Sequence, residues 1–116
     1  MKTNIQLQGL VRELKKQSNK EKSPFWKRIA KDLEKPTRQR RIVNLSRINK
    51  YSKENEMVIV PGKVLGTGEL DHKVTIAAFN FSSQAVEKLK KNNCELYSIY
   101  DFMKKNPQGK KTRILG

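Results

Sequence analysis

The basic residues between Lys35 and Lys53 are the part of this sequence whose types and spacing best suit binding chemistry. This run of nineteen residues contains seven Lys or Arg and no Asp or Glu, and four of the seven are Arg. Like charges at this density repel one another unless an external polyanion neutralises them. Arg favours nucleic acid over other acidic partners, because its planar guanidinium pairs with phosphate oxygens and stacks on bases. The run therefore predicts contacts to the phosphates of a nucleic acid.

The charge of the whole chain agrees with this interpretation. The net charge is +15 over 116 residues, and residues 1–50 hold fifteen basic and four acidic residues, against eleven and seven in the remainder. A lysine-rich surface that binds no partner would contain Asp and Glu among its Lys and Arg. The main alternative to nucleic-acid binding is therefore a basic helix on a membrane surface. No stretch approaches the roughly 18 apolar residues of a membrane span, and the first residues lack the apolar run of a signal peptide. We therefore expect an intracellular soluble protein.

The glycines between Gly62 and Gly68 raise the alternative of a nucleotide-using enzyme, because glycine lets backbone N–H groups approach phosphate oxygens closely. However, Gly62-Lys63 lacks the earlier glycine and the following Ser or Thr of a Walker-type loop. A dinucleotide fingerprint needs its third glycine where Asp71 stands. We therefore expect either a plain turn or a turn that places backbone against an RNA phosphate.

The only cluster of acids with an imidazole is formed by Glu69, Asp71 and His72, which could in principle do acid–base chemistry. There is no second His and no nucleophile in a recognisable frame, so a hydrogen-bonding loop or an RNA contact is the better interpretation. Cys94 has only His72 as a soft co-ligand, which excludes a structural zinc site. We expect Cys94 to be a core residue, and we expect no catalysis, no metal and no cofactor.

Apolar residues at positions i, i+3, i+4 and i+7 predict two leading helices. The first runs from Asn4 to about Ser18, and the second runs from Pro24 to about Glu34, with Ser23 as its N-cap. Residues 37–41 contain no apolar residue, which predicts an extended basic connector. Later elements are a helix over Asn44–Tyr51 with Asn44 as cap, strands at Met57–Val60, Val74–Phe79 and Cys94–Tyr97, a turn at Pro61-Gly62, helices after Ser82 or Ser83 and after Ser98, and a short strand within Lys110–Leu115.

The order of these elements predicts an α/β fold. It would be a small layered unit of short strands with packed helices, preceded by two amphipathic helices and a basic extended connector. We expect one structural domain overall, in four parts. These are an N-terminal helical pair (1–35), an RNA-binding connector (36–43), an α/β core (44–109) and a basic C-terminal tail (110–116).

Residues 43–82 carry a resemblance to a known family. The matching signature is Gly66-x-Gly68-Glu69-Leu70, Val74-Thr75, Phe81-Ser82 and Ala85. It closely resembles the archaeal large-subunit ribosomal protein eighteen-e, whose family is related to bacterial large-subunit ribosomal protein fifteen. The resemblance covers essentially the whole chain and departs at Asn92-Asn93, where relatives usually have Gly-Gly.

The resemblance implies a non-catalytic structural protein of the large ribosomal subunit. Such a protein binds and stabilises large-subunit ribosomal RNA in the cytoplasm, beside neighbouring large-subunit ribosomal proteins, without a membrane or a small-molecule substrate. The alternative is an RNA- or DNA-binding regulator that acts outside the ribosome. The residues and the resemblance together give these candidates for RNA binding: Arg38, Arg40, Arg41, Ser46, Arg47, Lys50, Tyr51, Lys63, Gly66, Gly68, His72, Lys73, Lys110, Lys111 and Arg113.

Overall fold

Short runs of β-branched residues form a parallel sheet, and amphipathic helices cover both of its faces. The computed structural model describes residues 2–35 and 41–115, and side chains from residue 7 onwards. Its elements are α1 (Lys2–Glu21), α2 (Pro24–Glu34), β1 (Arg41–Asn44), α3 (Leu45–Tyr51), β2 (Met57–Leu65), β3 (Thr75–Phe81), α4 (Ser83–Lys91), β4 (Glu95–Ser98), α5 (Ile99–Lys105) and β5 (Thr112–Ile114). The predicted α/β class is confirmed.

Strand β2 organises the sheet. One edge of β2 pairs with β3, which in turn pairs with β4. The other edge of β2 is shared by two short strands, with β5 beside Met57–Ile59 and β1 beside Gly62–Leu65. All of these described pairings are parallel. The long central strand therefore holds together segments from both ends of the chain.

Successive residues of β2 and β3 point to opposite faces of the sheet. Val58 and Ile76 face one buried cluster, which also contains Leu45 and Ile48 of α3 and residues of α4. Ile59 lies in a second cluster, with residues of α1, α2 and α5. A parallel sheet needs cover on both faces because its strands are apolar on both sides. The strand predicted at Val74–Phe79 is confirmed as β3, which lies between β2 and β4 with both of its faces covered.

The turn predicted at Pro61-Gly62 is wrong. Both residues lie inside β2, where the register with β3 shifts between Val60 and Lys63. Proline is tolerated at such a bulge because the ladder is locally interrupted there. Gly62 is required by the neighbouring strand, since a Cβ at this position would lie 2.0 Å from the carbonyl oxygen of Arg41.

Strand β1 is an element that the sequence reasoning missed. It has four residues, of which only Ile42 and Val43 are apolar, so it carries little periodic signal. The structure thus extends the sheet back to Arg41, into the last part of the segment predicted as connector (36–43). Residues 36–40 of that segment lie outside the described residues.

The predicted starts of α2, α3, α4 and α5 are confirmed, whereas α1 begins at Lys2, two residues before the predicted Asn4. At the four confirmed starts, only two side chains form a cap hydrogen bond. The Oγ atoms of Ser82 and Ser98 accept hydrogen bonds from the backbone N–H groups of α4 and α5, each at 3.1 Å. Ser23 and Asn44 occupy the N-cap positions of α2 and α3 without a side-chain cap hydrogen bond. After α4, Asn93 adopts the left-handed conformation, with φ of 58°, a region that asparagine tolerates.

None of the described helices combines the length and the apolar character needed to cross a membrane.

Candidate nucleic-acid interface

Helix α3 and the loop of residues 66–73 pack together and form one surface, which we call the helix–loop surface. The N–H of Ser46 donates to the carbonyl of Thr67 at 3.1 Å, and the N–H of Asp71 donates to Asn49 Oδ1 at 3.0 Å. These bonds join both ends of the loop to the helix. The fold thereby brings together RNA-binding candidates that are about twenty residues apart in the sequence.

The outward side of α3 carries cations around an aromatic ring. Leu45 and Ile48 are buried, whereas Arg47, Lys50 and Tyr51 are exposed. The guanidinium carbon of Arg47 lies 5.1 Å from the centroid of the Tyr51 ring, and Lys50 Nζ lies 5.4 Å from it. The Tyr51 side chain is exposed enough to accept a stacked base, with 45% of the residue accessible. Two cationic groups that are able to pair with phosphates therefore lie beside a ring on which a base is able to stack.

The two loop glycines have packing roles inside the protein. Gly66 is buried, and a Cβ there would lie 2.7 Å from the Gln84 side chain and 2.8 Å from the N atom of Ala85. Gly68 has φ of +92°, and a Cβ there would lie 2.5 Å from that of Ser46. These contacts explain the glycine spacing without RNA, and an RNA contact at either glycine stays a prediction.

Lys88 of α4 holds the same loop from the other side. Its Nζ donates to the carbonyl of Gly68 at 2.8 Å and lies 3.4 Å from the carboxylate of Glu69. The loop is therefore fixed between α3 and α4, and a surface fixed in this way loses little entropy when it binds.

His72 connects the loop to the end of α3. Its Nδ1 lies 2.9 Å from Asp71 Oδ1, and its Nε2 lies 2.8 Å from Ser52 Oγ. Hydrogen bonding to His72 holds the pKa of Asp71 below its usual range. The hydroxyl of Ser52 is buried and donates to the carbonyl of Ile48, so it ends the helix. The expected hydrogen-bonding loop is confirmed, and RNA contact by His72 stays a prediction.

A second group of candidates lies on the sheet. Lys63 of β2 pairs in register with Ile42 of β1 and with Asn80 of β3, and all three residues are exposed. Arg41 precedes this row and is partly exposed. The structure therefore separates Arg41 and Lys63 from the outward side of α3. Arg38 and Arg40 lie outside the described residues.

The basic residues of the C-terminal tail differ in their contacts within the protein. Lys110 and Lys111 are exposed, as expected of RNA-binding residues. The guanidinium of Arg113 instead donates to both carboxylate oxygens of Glu56, at 3.0 and 3.1 Å. This contact lowers the pKa of Glu56 and holds β5 against the start of β2. Arg113 thus has a role inside the fold, and its RNA contact stays a prediction.

The leading helices carry cations that were not among the RNA-binding candidates predicted from the sequence. Charged residues on a helix are usual on a solvent-exposed face, so their positions in the sequence do not indicate an RNA contact. The only signal in the sequence for these cations was the high net charge of residues 1–50. Within the described part of the chain, Lys15, Lys16 and Lys35 each lie near a carboxylate, and six other cations have no carboxylate partner. The set on α1, α2 and the turn between them comprises Arg12, Lys20, Lys22, Lys27, Arg28 and Lys31. Within the same described residues, no group of three or more His, Cys, Asp or Glu could hold a metal ion.

Known proteins resemble this chain over nearly its full length. The model of the family described as ribosomal protein 60S L18 and 50S L18e matches residues 1–116. The large ribosomal subunit protein eL18 of Sulfurisphaera tokodaii is 45% identical over 97% of this chain and 92% of its own length. The eL18 proteins of Methanothermobacter thermautotrophicus and Methanoregula boonei are 44% and 45% identical, each over 98% of this chain and 94% of their own. The resemblance read from residues 43–82 is confirmed, and the chain belongs to the family of ribosomal proteins 60S L18 and 50S L18e.

Proposed function

We propose that this protein is a structural, non-catalytic constituent of the large ribosomal subunit. It binds and stabilises large-subunit ribosomal RNA beside neighbouring large-subunit proteins, and so supports translation in the cytoplasm. Membership of the family supports this proposal. The structural observation that carries it is the outward side of α3, where Arg47 and Lys50 flank an exposed Tyr51 and have no carboxylate partner among the described residues.

The helix–loop surface acts as a rigid docking face. Arg47 and Lys50 neutralise phosphates, while the Tyr51 ring stacks on an unpaired base. Lys73, on the loop, adds a further exposed cation to this face. The bonds from Ser46 and Asp71 fix helix and loop before RNA arrives, so little binding free energy is lost to ordering.

The other candidates extend the contact beyond this face. Arg41 and Lys63 place charge at the ends of β1 and β2, next to the segment that contains Arg38 and Arg40. We propose that this segment, like the tail at Lys110 and Lys111, threads between RNA helices and displaces counterions. Such binding is dominated by phosphates and weakens steeply with salt.

The first test is whether the protein travels with the large subunit. A native lysate is fractionated on a density gradient, before and after a high-salt wash, and the protein is followed by mass spectrometry. We expect stoichiometric co-migration with the large subunit at moderate magnesium. Migration as free protein would overturn the ribosomal proposal and favour a regulator outside the ribosome.

The second test locates the interface on α3. The double substitution Arg47→Gln with Lys50→Gln should reduce incorporation into the subunit. It should also make the plot of log K against log salt less steep, by about 0.7–0.9 per lost phosphate contact. Lys90→Gln with Lys91→Gln at the end of α4 removes the same charge elsewhere and serves as the control. Equal losses in both variants would show a general charge effect and contradict the assignment to α3.

A further inference from the structure

Two segments that are far apart in the sequence meet at one corner of the molecule. The turn between α1 and α2 lies against the loop that follows α5. Gln17 Nε2 and Trp26 Nε1 both donate to the carbonyl of Pro107, at 2.9 and 2.7 Å. A Cβ at Gly109 would lie 2.4 Å from the ring of Phe25, so the loop is packed tightly against α2.

Four exposed lysines lie on these two segments. Lys20 lies in the last turn of α1 and Lys22 directly follows this helix, while Lys110 and Lys111 follow the packed glycine. None of the four has a carboxylate partner within the described residues. Glu56 borders the same shallow depression as Lys111, but Arg113 holds both of its oxygens. We call these four lysines the lysine corner.

The backbone at two of these lysines is unusual. Lys22 has φ of 52° and Lys111 has φ of 55°, in the left-handed region that favours glycine. The other described residues with positive φ, apart from glycine, are Asn55 and Asn93, and asparagine tolerates this region. Glycine would end α1 at Lys22 with less strain. The left-handed backbone at these two positions therefore carries exposed lysine side chains that have no carboxylate partner within the described residues.

We propose that the lysine corner binds the phosphate backbone of RNA. This inference rests on the proposed function and adds Lys20 and Lys22, on the α1–α2 turn, to its interface. Lysine offers a point charge without the geometry needed to recognise a particular base. Trp26 beneath the corner is fully buried and cannot stack on a base. The corner therefore contacts the RNA backbone and does not recognise base sequence. A lipid surface fits less well, because the Phe25 ring is covered by the loop and offers little apolar surface for insertion.

The test replaces both left-handed lysines by glycine. Lys22→Gly with Lys111→Gly relieves backbone strain, so the melting temperature should stay the same or rise. Binding to protein-free large-subunit ribosomal RNA should weaken by at least about tenfold at 0.1 M salt, and the salt slope should fall by about 1.5 for two lost contacts. If the lysines had only a structural role, the substitutions would lower the melting temperature and leave the salt slope unchanged.

Asn55→Gly with Asn93→Gly is the matched control, because it also places glycine at two positions with a left-handed backbone but removes no charge. We expect it to leave RNA affinity and salt slope unchanged. If the lysine-to-glycine variant is less stable, Lys20→Gln with Lys110→Gln removes charge at positions without a left-handed backbone and should show the same weakening.

The outcomes separate the inference from the function on which it rests. If the unaltered protein does not bind the RNA in a salt-dependent way, both the proposed function and the inference about the lysine corner are overturned. If the unaltered protein binds but the lysine variants bind equally well with equal slopes, only the lysine corner is overturned. Binding to phosphatidylserine vesicles that the lysine variants lose, with RNA binding unchanged, would assign the corner to lipid and overturn the inference.

Discussion

At the scale of single residues, Gly9 and Gly68 should respond in opposite directions to the same substitution. Gly9 lies within α1 with nothing within 4 Å of an added Cβ, whereas Gly68 has φ of +92° and faces Ser46. Gly9→Ala should raise the free energy of unfolding by about 1 kcal/mol through helix propensity. Gly68→Ala should lower it by about 1–3 kcal/mol through backbone strain alone. Urea unfolding measures both changes, and effects of the same sign would contradict this account.

The ion pair between Glu56 and Arg113 predicts a dependence of stability on pH. The hydrogen bond from Arg113 lowers the pKa of Glu56 below 4.5 in the folded protein. The contribution of Glu56 is therefore complete above pH 4.5 and is lost as the pH falls through the lowered value. Glu56→Gln should cost up to about 1 kcal/mol at pH 7, since the pair is partly exposed and screened. Urea unfolding between pH 7 and pH 3 should show this difference shrinking.

The control for this prediction is Glu54→Gln. Glu54 is exposed and has no ion-pair partner within the described residues. Its substitution removes the same charge without freeing Arg113. A loss for Glu54→Gln as large as that for Glu56→Gln would show a general charge effect rather than the ion pair.

At the scale of elements, three serines at helix starts should differ in their contribution to stability. Ser82 and Ser98 accept cap hydrogen bonds from α4 and α5, whereas Ser23 at the start of α2 makes no such bond. Ser82→Ala and Ser98→Ala should each lower the free energy of unfolding by about 1 kcal/mol. Ser23→Ala should change it by clearly less, and thermal unfolding followed by circular dichroism compares the three. Equal losses at all three positions would contradict the cap assignments.

At the scale of the whole molecule, the leading helices and the sheet should unfold together. Trp26, the only Trp in the sequence, is fully buried in the same cluster as Ile59 of β2 and Phe102 of α5. Its fluorescence should therefore report the same midpoint in urea as far-ultraviolet circular dichroism. Leu33→Ala should lower both midpoints together, with a loss of about 2–5 kcal/mol. An earlier fluorescence transition would show that the helical pair unfolds separately.

The sequence by itself determined the class of fold and most of the local elements, although not strand β1. Three signals depend on residues within a few positions of one another. They are the helical spacing on α1 and α2, the end of α2 near Glu34, and the serines at the starts of α4 and α5. Such signals are complete in the chain before any tertiary contact forms. The excess of charge without acids also needs no structure, because like charges imply an external neutralising partner wherever they lie.

The tertiary structure decided which of these residues act together. Pro61-Gly62 has the composition of a turn, yet pairing with β1 and β3 keeps it inside a strand. Arg113 lies in a segment that the sequence predicts to be a basic tail. Its guanidinium nevertheless donates to the carboxylate of Glu56, fifty-seven positions away. The lysine corner exists only because Trp26 and Pro107 meet across the fold. Contacts between distant segments depend on how sheet and helices pack, and no local pattern in the chain encodes that packing.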